Sequence, residues 1–398
     1  MKYLVVIANG LTDRPIAEKE NKTPLQLSDT PNLDQMVREG CSGSVQTIPE
    51  NYQVGNEISY LSLLGYDPTK YDIAPSYFDA LAMGVNLKDS QIPLCCDFVT
   101  LQSSHNDMIM KDYTAGHLSC EESREYLKAL QDQISDCPVT FYPGFGFHNL
   151  MVIESKQFTT RLTPPNELIG EGIRKFMPHE DQFKDLIYII NQAQIILHNH
   201  PKNQRRKREN IDLVNSIWLW GNGKEGILPS FEEKFGKSAS IISPSLLFQG
   251  MGKAANMNIV SVEGITGFAD TNFNNKVAST IDELKNQDVV YLNVTGAEDI
   301  SLKGNIDDKV LTIEDIDAKI IGPLLKEISL NNNVKMMVVV NHMNSAVDVK
   351  YGKDRVPFVI TGKNETASLN RFDENILNAG SYHFNSGPEL MEMFFDLN

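Results

Sequence analysis

Two asparagines and a histidine stand where α/β chains usually keep their chemistry. Asn9 closes the apolar run Tyr3-Leu4-Val5-Val6-Ile7-Ala8 and is followed by Gly10. Such a run, stopped by Asn-Gly, reads as a strand buried on both faces in a parallel sheet, with a sharp turn at its carboxyl end. Open α/β sheets hold ligands in the crevice beyond those ends, so the Asn9 side chain points into it. Asn341-His342 follow a later run, Val334 to Val340, and reach the same crevice. Amides carry no charge, so Asn9 and Asn341 are expected to hydrogen-bond to each other or to His342 and fill the pocket with neutral partners. Asn56, in Gly55-Asn56-Glu57, opens a short helix whose N–H groups and dipole favour an anion, and the role expected of it is the simpler one of N-cap.

Other reactive types give weaker signals. His198 and His200 are two apart and share no helix face, and His200 is expected to end its helix before Pro201. The basic run from Lys202 to Arg208 reads as a solvated face. Five cysteines (Cys41, Cys95, Cys96, Cys120, Cys137) are odd in number, scattered, and without a Cys-x-x-Cys pair. That pattern speaks against a disulfide framework and against a zinc site built on sulfur. Cys95 and Cys96 point to opposite faces of a strand and are expected to be buried small residues.

The elements that must carry these residues alternate. A buried first strand, a helix from Thr30-Pro31 to Gly40 with Thr30 as N-cap, and a strand from about Ser42 to Thr47 open the chain. Ile92 to Leu101, Met108 to Tyr113, Thr140 to Phe147 and Leu150 to Ile153 read as strands grouped around one helix, which starts at the Ser119 to Glu122 capping box and buries Tyr126, Leu127, Leu130 and Ile134. Ser216 to Trp220, Ala239 to Ile242, Asn258 to Val262, Val289 to Val294, Val334 to Val340 and Phe358 to Ile360 then alternate with helical patterns, most clearly Ile313, Ile316, Ile320 and Leu324. The fold class expected is α/β, a doubly wound sheet over residues 1–87 and 183–398 with an inserted α+β domain over 88–182.

The chain of 398 residues, 41% apolar and 22% charged, has ordinary globular composition. A net charge of −16 disfavours nucleic acid or an anionic membrane as the general partner. The apolar start is too short for a membrane span and lacks the basic flank and cleavage site of a signal peptide, so a cytoplasmic location is expected.

Lys22-Thr23-Pro24-Leu25, Leu64-Gly65-Tyr66-Asp67-Pro68, Asp112 to Ser119, Asn215 to Gly223, Leu228-Pro229-Ser230-Phe231, Thr266 to Asn272 and the helix start at Lys309 to Asp317 recur in one order in a known family. Over essentially its whole length the chain resembles the archaeal-type cofactor-independent (2,3-bisphosphoglycerate-independent) phosphoglycerate mutases of the alkaline phosphatase superfamily. Within them it is most similar to the bacterial subgroup proposed as homoserine kinases. The resemblance implies an alkaline-phosphatase-like sheet, an inserted substrate cap, two divalent metals (Mn, Mg or Zn), a serine nucleophile that accepts the phosphoryl group, and arginines that hold the substrate.

Residue by residue, the resemblance also implies losses. The family's first metal aspartate falls on Asn9, the nucleophile on Asn56, and the late Asp-His pair on Asn341-His342. A later histidine ligand falls on Tyr351, and the Asp-Glu-Ala-Gly-His motif on Glu298 to Leu302, with Glu298 standing in for a carboxylate and Leu302 replacing the histidine. Arg-Cys-Asn has become Cys95-Cys96-Asp97, Gly-Arg-Gly-Pro has become Ala74-Pro75-Ser76-Tyr77, and Arg-His has become His148-Asn149, while the basic segment keeps His200, Asn203 and Arg206. Asparagine removes the charge that holds a hard cation and offers no hydroxyl to a phosphoryl group.

The expected function is therefore a phosphoglycerate-mutase-like protein that keeps the scaffold, has lost the two-metal site, and holds no metal or other cofactor. It retains a small phosphorylated or anionic ligand, or a protein partner, through Arg206, Asn203, His200, Asp97 and His148. The alternative is an active phosphoglycerate mutase or related phosphotransferase that interconverts 3- and 2-phosphoglycerate with substitute ligands such as Glu57, Glu298, Asp299 and His342.

Overall fold

The computed structural model describes all residues except 72–73, 156–157, 159, 179–180, 224, 331–332, 363–368 and 397–398. Fifteen strands form among the described residues. In chain order these are β1 (Lys2–Ala8), β2 (Cys41–Val45), β3 (Gln91–Ser103), β4 (Met108–Asp112), β5 (Val139–Phe145), β6 (His148–Glu154), β7 (Ser216–Trp220) and β8 (Ala239–Ile242). There follow β9 (Asn258–Ile259), β10 (Val289–Val294), β11 (Val334–Val339), β12 (Met343–Ser345), β13 (Lys350–Gly352), β14 (Val356–Ile360) and β15 (Tyr382–Phe384). The chain divides into two compact units, residues 1–71 with 227–398, and residues 72–226.

The first unit is built on an eight-stranded sheet in the order β15-β2-β14-β11-β1-β10-β8-β9. From β11 to β9 the strands are parallel, and β14 runs antiparallel to both of its neighbours. β1 is buried from Tyr3 to Ala8 because it lies between β10 and β11, with Ile7 opposite both Asn293 and Val339. That register gathers the ends of three strands, and hence Asn9, Asn293 and Asn341, at one edge. The apolar stripe Ile313, Ile316, Ile320 and Leu324 is buried, as its spacing predicts, along three successive helical segments, Ile306–Ile316, a π segment Asp317–Ile321, and Gly322–Leu330. Asp317 in the π segment accepts from the backbone N–H groups of Asn32 and Leu33 at 3.2 and 2.8 Å. It thereby supplies the start of the helix Pro31–Glu39 with the partner expected of Thr30, whose own side chain makes no capping bond.

The second unit is antiparallel. Its sheet runs β4-β3-β6-β5, with β7 also paired to β3. β7 was expected in the doubly wound sheet, but pattern alone does not say which sheet a strand joins, and here Cys95 faces Trp220 and Asp97 faces Trp218 across the β3 and β7 pair. Side chains alternate across the sheet. Ile92, Leu94, Cys96 and Phe98 of β3 join Met151, Ile153, Ile217 and Leu219 in one apolar core with residues of the helices Cys120–Gln133 and Lys184–Asn199. On the opposite face Leu150 and Val152 pack with Ala80 and Met83 of the helix Pro75–Met83. Residues 88–182, the stretch expected as an insertion, lie within this unit, which also takes in that helix, Lys184–Asn199, Pro201–Arg208 and β7. A mostly parallel sheet with an α+β unit inserted in its chain is the class of fold expected from the sequence.

The turn after β1 is fixed from below. Lys309 Nζ, wholly buried, donates to Asp13 Oδ2 at 2.8 Å, to Thr12 O at 3.2 Å and to Asn344 O at 2.6 Å. A buried ion pair of this kind is tolerated because the remaining lone pairs are filled, Asp13 Oδ2 also accepting from Ala346 N at 2.8 Å. Glu374 closes the arrangement, accepting from Asp13 N at 3.2 Å and Thr23 Oγ1 at 2.7 Å. Burial pushes the Glu374 carboxyl up to about 7 from an ordinary 4.5, against those hydrogen bonds. A raised carboxyl stabilises the fold fully below its unfolded value, and that contribution is lost as the pH rises through the folded value. Urea unfolding should therefore show stability falling between pH 5 and pH 7 by about 3 kcal/mol at most from this group. The variant E374Q should lose that part of the slope, and an unchanged slope would remove Glu374 as its source.

Candidate functional site

At the strand-end edge of the first unit the polar residues converge on one carboxylate. Glu298 belongs to the helix Gly296–Leu302, which follows β10 directly. Asn9 Nδ2 donates to Glu298 Oε2 at 2.6 Å, and Asn56 Nδ2 and the Tyr351 hydroxyl donate to Glu298 Oε1 at 2.8 and 2.6 Å. Asn341 Nδ2 in turn donates to Asn56 Oδ1 at 2.8 Å, and His342 Nε2 lies 3.1 Å from the same oxygen. Asn293 and Tyr60 complete the shell around Asn9, at 3.0 and 2.8 Å. Gly10 is required by this approach: at φ +82° a Cβ would stand 2.2 Å from Glu298 N. Burial holds the His342 imidazole below its ordinary value, against the pull of Glu298, and burial followed by Glu298 raises the Tyr60 phenol.

Two expectations change here. Asn56 is the first helical residue and makes no cap, Gly55 standing at the cap position instead. Asn9 and Asn341 meet Glu298 and Asn56 rather than each other. Leu302 is buried, and a leucine side chain carries no ligand atom. The hydrogen-bonded group at this edge does not fit two divalent cations, because the Glu298 carboxylate has both oxygens engaged by amide and phenol donors and the others in the group are neutral amides, phenols and an imidazole.

The second unit corrects the expectation that the chain holds no metal. Among the described residues, Asp79, Cys95 and His148 place one carboxylate oxygen, one sulfur and one imidazole nitrogen within 4.8 Å of one another, a group able to hold a metal ion. The sheet explains how they meet. Cys95 and Asp97 are two apart on β3 and share a face, and Asp97 stands opposite His148 of β6. Asp79 comes from the helix Pro75–Met83, whose first turn is pinned by Ser76 Oγ to Pro93 O and Gly221 O, each at 2.9 Å. Gly221, at φ +73°, allows that contact, since a Cβ there would come 2.7 Å from Cys95 Sγ and 3.3 Å from Pro75 Cβ.

Hydrogen bonds tie the group together. Cys95 Sγ donates to Asp79 Oδ2 at 3.1 Å, and His148 Nε2 lies 2.9 Å from the same oxygen. His148 Nδ1 lies 2.5 Å from Asp97 Oδ1, and Trp220 Nε1 donates to Asp97 Oδ2 at 2.7 Å. Burial opposes charge on His148, yet Asp97 and Asp79 on either side hold its imidazolium well above the ordinary range. Burial, then Asp79 and Asp97, push the Cys95 thiol up, and burial raises Asp97 against His148 and Trp220. Asp79 is 1% exposed and its Oδ1 has no hydrogen-bond partner. An orphaned buried carboxylate oxygen beside a thiol and an imidazole fits a cation, which would satisfy it.

Of the residues singled out in the sequence, Asp97 and His148 are thus brought together. Asp79 was missed because a lone aspartate in a helix has no local signature. Cys95 is buried as expected, but it faces Asp79 while Cys96 faces the core, so the exclusion of sulfur from a metal site is withdrawn. Arg206 has its donors on Glu122 (3.2 and 2.9 Å), Ala115 O and Asp212 O. Asn203 is held by Leu197 O and Val214, and His200 caps the helix Pro201–Arg208 by accepting from Lys202 N at 3.3 Å.

Comparison with known proteins agrees with the sequence motifs. A family model described as 2,3-bisphosphoglycerate-independent phosphoglycerate mutase matches residues 37–203. A Geobacter sulfurreducens protein named "Probable 2,3-bisphosphoglycerate-independent phosphoglycerate mutase" is 35% identical over 398 residues, covering 100% of both chains. A 2,3-bisphosphoglycerate-independent phosphoglycerate mutase of Methanosarcina barkeri is 33% identical over 96% of each chain. Among solved structures, a Pyrococcus horikoshii protein superposes with a TM-score of 0.78 at 23% identity, covering 100% of this chain and 97% of that one. The cofactor-independent phosphoglycerate mutase of Thermoplasma acidophilum gives 0.56, also at 23% identity and covering 100% of both chains. At that identity the two structures show a shared fold.

The hydrogen bonds to Glu298 predict a stability effect. E298A strips Asn9, Asn56 and Tyr351 of their acceptor and should destabilise the first unit by about 2–4 kcal/mol in urea unfolding. A loss under about 0.5 kcal/mol, the range of an ordinary surface substitution, would show that the carboxylate does not hold this edge together.

Proposed function

We infer function from a firm premise, that this chain belongs to the 2,3-bisphosphoglycerate-independent phosphoglycerate mutase family, being 35% identical along its whole length to a relative so named. We propose that it is a metal-dependent phosphotransferase of that class, acting on a small phosphorylated hydroxy acid such as 3- or 2-phosphoglycerate with substitute ligands. The observation that carries this reading is the Asp79, Cys95 and His148 group with its orphaned carboxylate oxygen. It replaces the expectation of a protein without metal or activity.

A divalent ion held there would act as a Lewis acid on a phosphoryl oxygen. The chain's own residues do the rest. Asp97 Oδ1 lies against His148 Nδ1 and is itself held by Trp220, which fixes the His148 ring. In this reading the phosphoryl group passes directly to a substrate hydroxyl: the acceptor oxygen loses its proton as the new P–O bond forms, and the oxygen of the broken P–O bond takes a proton up. Transfer to a second substrate's hydroxyl is also what a homoserine kinase would need, but the relatives named above carry phosphoglycerate mutase names, which puts the mutase substrates first.

The test is interconversion of 3- and 2-phosphoglycerate followed by phosphorus NMR on protein stripped of metal and reloaded with Mn²⁺ or Zn²⁺. Turnover should depend on the ion and fall about 100-fold or more in H148A and in C95S, the loss expected for several kcal/mol of charge stabilisation. No turnover with either ion, or turnover indifferent to the two variants, would contradict the proposal.

A further inference from the structure

The donor set at Asp79, Cys95 and His148 carries more than the presence of an ion. One thiol, one imidazole and one carboxylate suit a borderline-soft ion, whereas Mg²⁺ prefers oxygen throughout and keeps most of its water. Three protein donors leave a position open, which is the arrangement of catalytic rather than structural zinc sites. We propose that this group takes one zinc-class ion per chain with an open position, and that Asp97, steadied by Trp220, is the positioning residue that aims His148 at it. The inference rests on the reading above that the group holds an ion, and adds which ion and what orients its histidine.

The geometry behind Asp97 is specific. A histidine that ligates through one ring nitrogen normally donates from the other to a carboxylate, which fixes its tautomer and ring plane. His148 meets that requirement, with Nδ1 2.5 Å from Asp97 Oδ1 and Nε2 left on the side of Asp79 and Cys95. Asp97 is 2% exposed, and its second oxygen is taken by Trp220 Nε1 at 2.7 Å, so the carboxylate cannot swing toward the ion side without breaking that bond. Cross-strand register supplies all of this, because Asp97 lies opposite His148 in β6 and Trp220 lies opposite Cys95 in β7. The orphaned Asp79 Oδ1 is the one oxygen of the two carboxylates that no protein donor claims.

The experiment uses the full chain, stripped by a chelator and titrated with Co²⁺ as a visible stand-in, then with Zn²⁺ and with excess Mg²⁺. One Co²⁺ should bind with a thiolate-to-cobalt charge-transfer band in the near ultraviolet and strong four-coordinate visible bands. Zn²⁺ should displace it and Mg²⁺ should not. C95S should abolish the charge-transfer band. D97N should weaken Zn²⁺ binding by about 10–100-fold and shift the visible bands. Should D97N fail to fold, W220F serves in its place, with a smaller loss in the same direction. Co²⁺ bound without a thiolate band, Mg²⁺ competing on equal terms, or unchanged affinity in D97N or its substitute would overturn the inference. A cobalt site with the expected spectrum in a protein without turnover would uphold it and remove the phosphotransferase reading, whereas absence of any tight ion would remove both.

Discussion

Register of β3 against β6 and β7 is the constraint on which the second unit depends. With Asp97 opposite His148 and Cys95 opposite Trp220, four polar or reactive side chains share one face, while Cys96 and Phe98 enter the apolar core on the other. A slip of one residue would exchange the two sets, burying Asp97 among hydrophobic side chains and exposing the core. The apolar alternation of β3 and β6 therefore fixes the site as firmly as it fixes the sheet. The Ser76 clamp and the packing of Ala80 and Met83 on Leu150 and Val152 bring Asp79 of the helix Pro75–Met83 over that face.

The first unit solves a different electrostatic problem. Strand ends in a parallel sheet concentrate side chains in a small volume, and Glu298 puts a charge there that must be met. Asn9, Asn56 and Tyr351 meet it directly, with Asn341 and His342 supporting Asn56 from behind. Asn9 Nδ2 donates to both Glu298 and Tyr60, Asn56 Nδ2 to Glu298 and Asn341 Nδ2 to Asn56, and Asn9 and Asn56 also offer an oxygen to another amide, so orientation is set by the bonds themselves. The unit is thus ordered around a carboxylate and neutral donors, and the group suited to a cation lies on the sheet of the other unit.

Much of the fold was legible because burial leaves a period in the sequence. The unbroken run at β1 and the stripe from Ile313 to Leu324 each stand where their spacing put them. Short elements escaped: β12, β13 and β15 are three residues each, too few for a pattern. The membership of β7 escaped because pairing partners are a tertiary property. The candidate site was half legible. Asp97 and His148 were singled out because they replaced other residues at motif positions, but their meaning was read from what had been lost there. Asp79 and Cys95 join them only through a helix packed on a sheet, a contact that no spacing in the chain records. No helix among the described residues is long and apolar enough to cross a membrane, in line with the short apolar start.

The most direct measurement is anomalous diffraction at the zinc absorption edge from crystals of the full chain grown with Zn²⁺. The account predicts one strong anomalous peak within bonding distance of the Asp79, Cys95 and His148 donor atoms, with Asp97 still on His148 Nδ1. A peak beside Glu298, Asn341 and His342 instead, or no peak in well-ordered crystals, would contradict it.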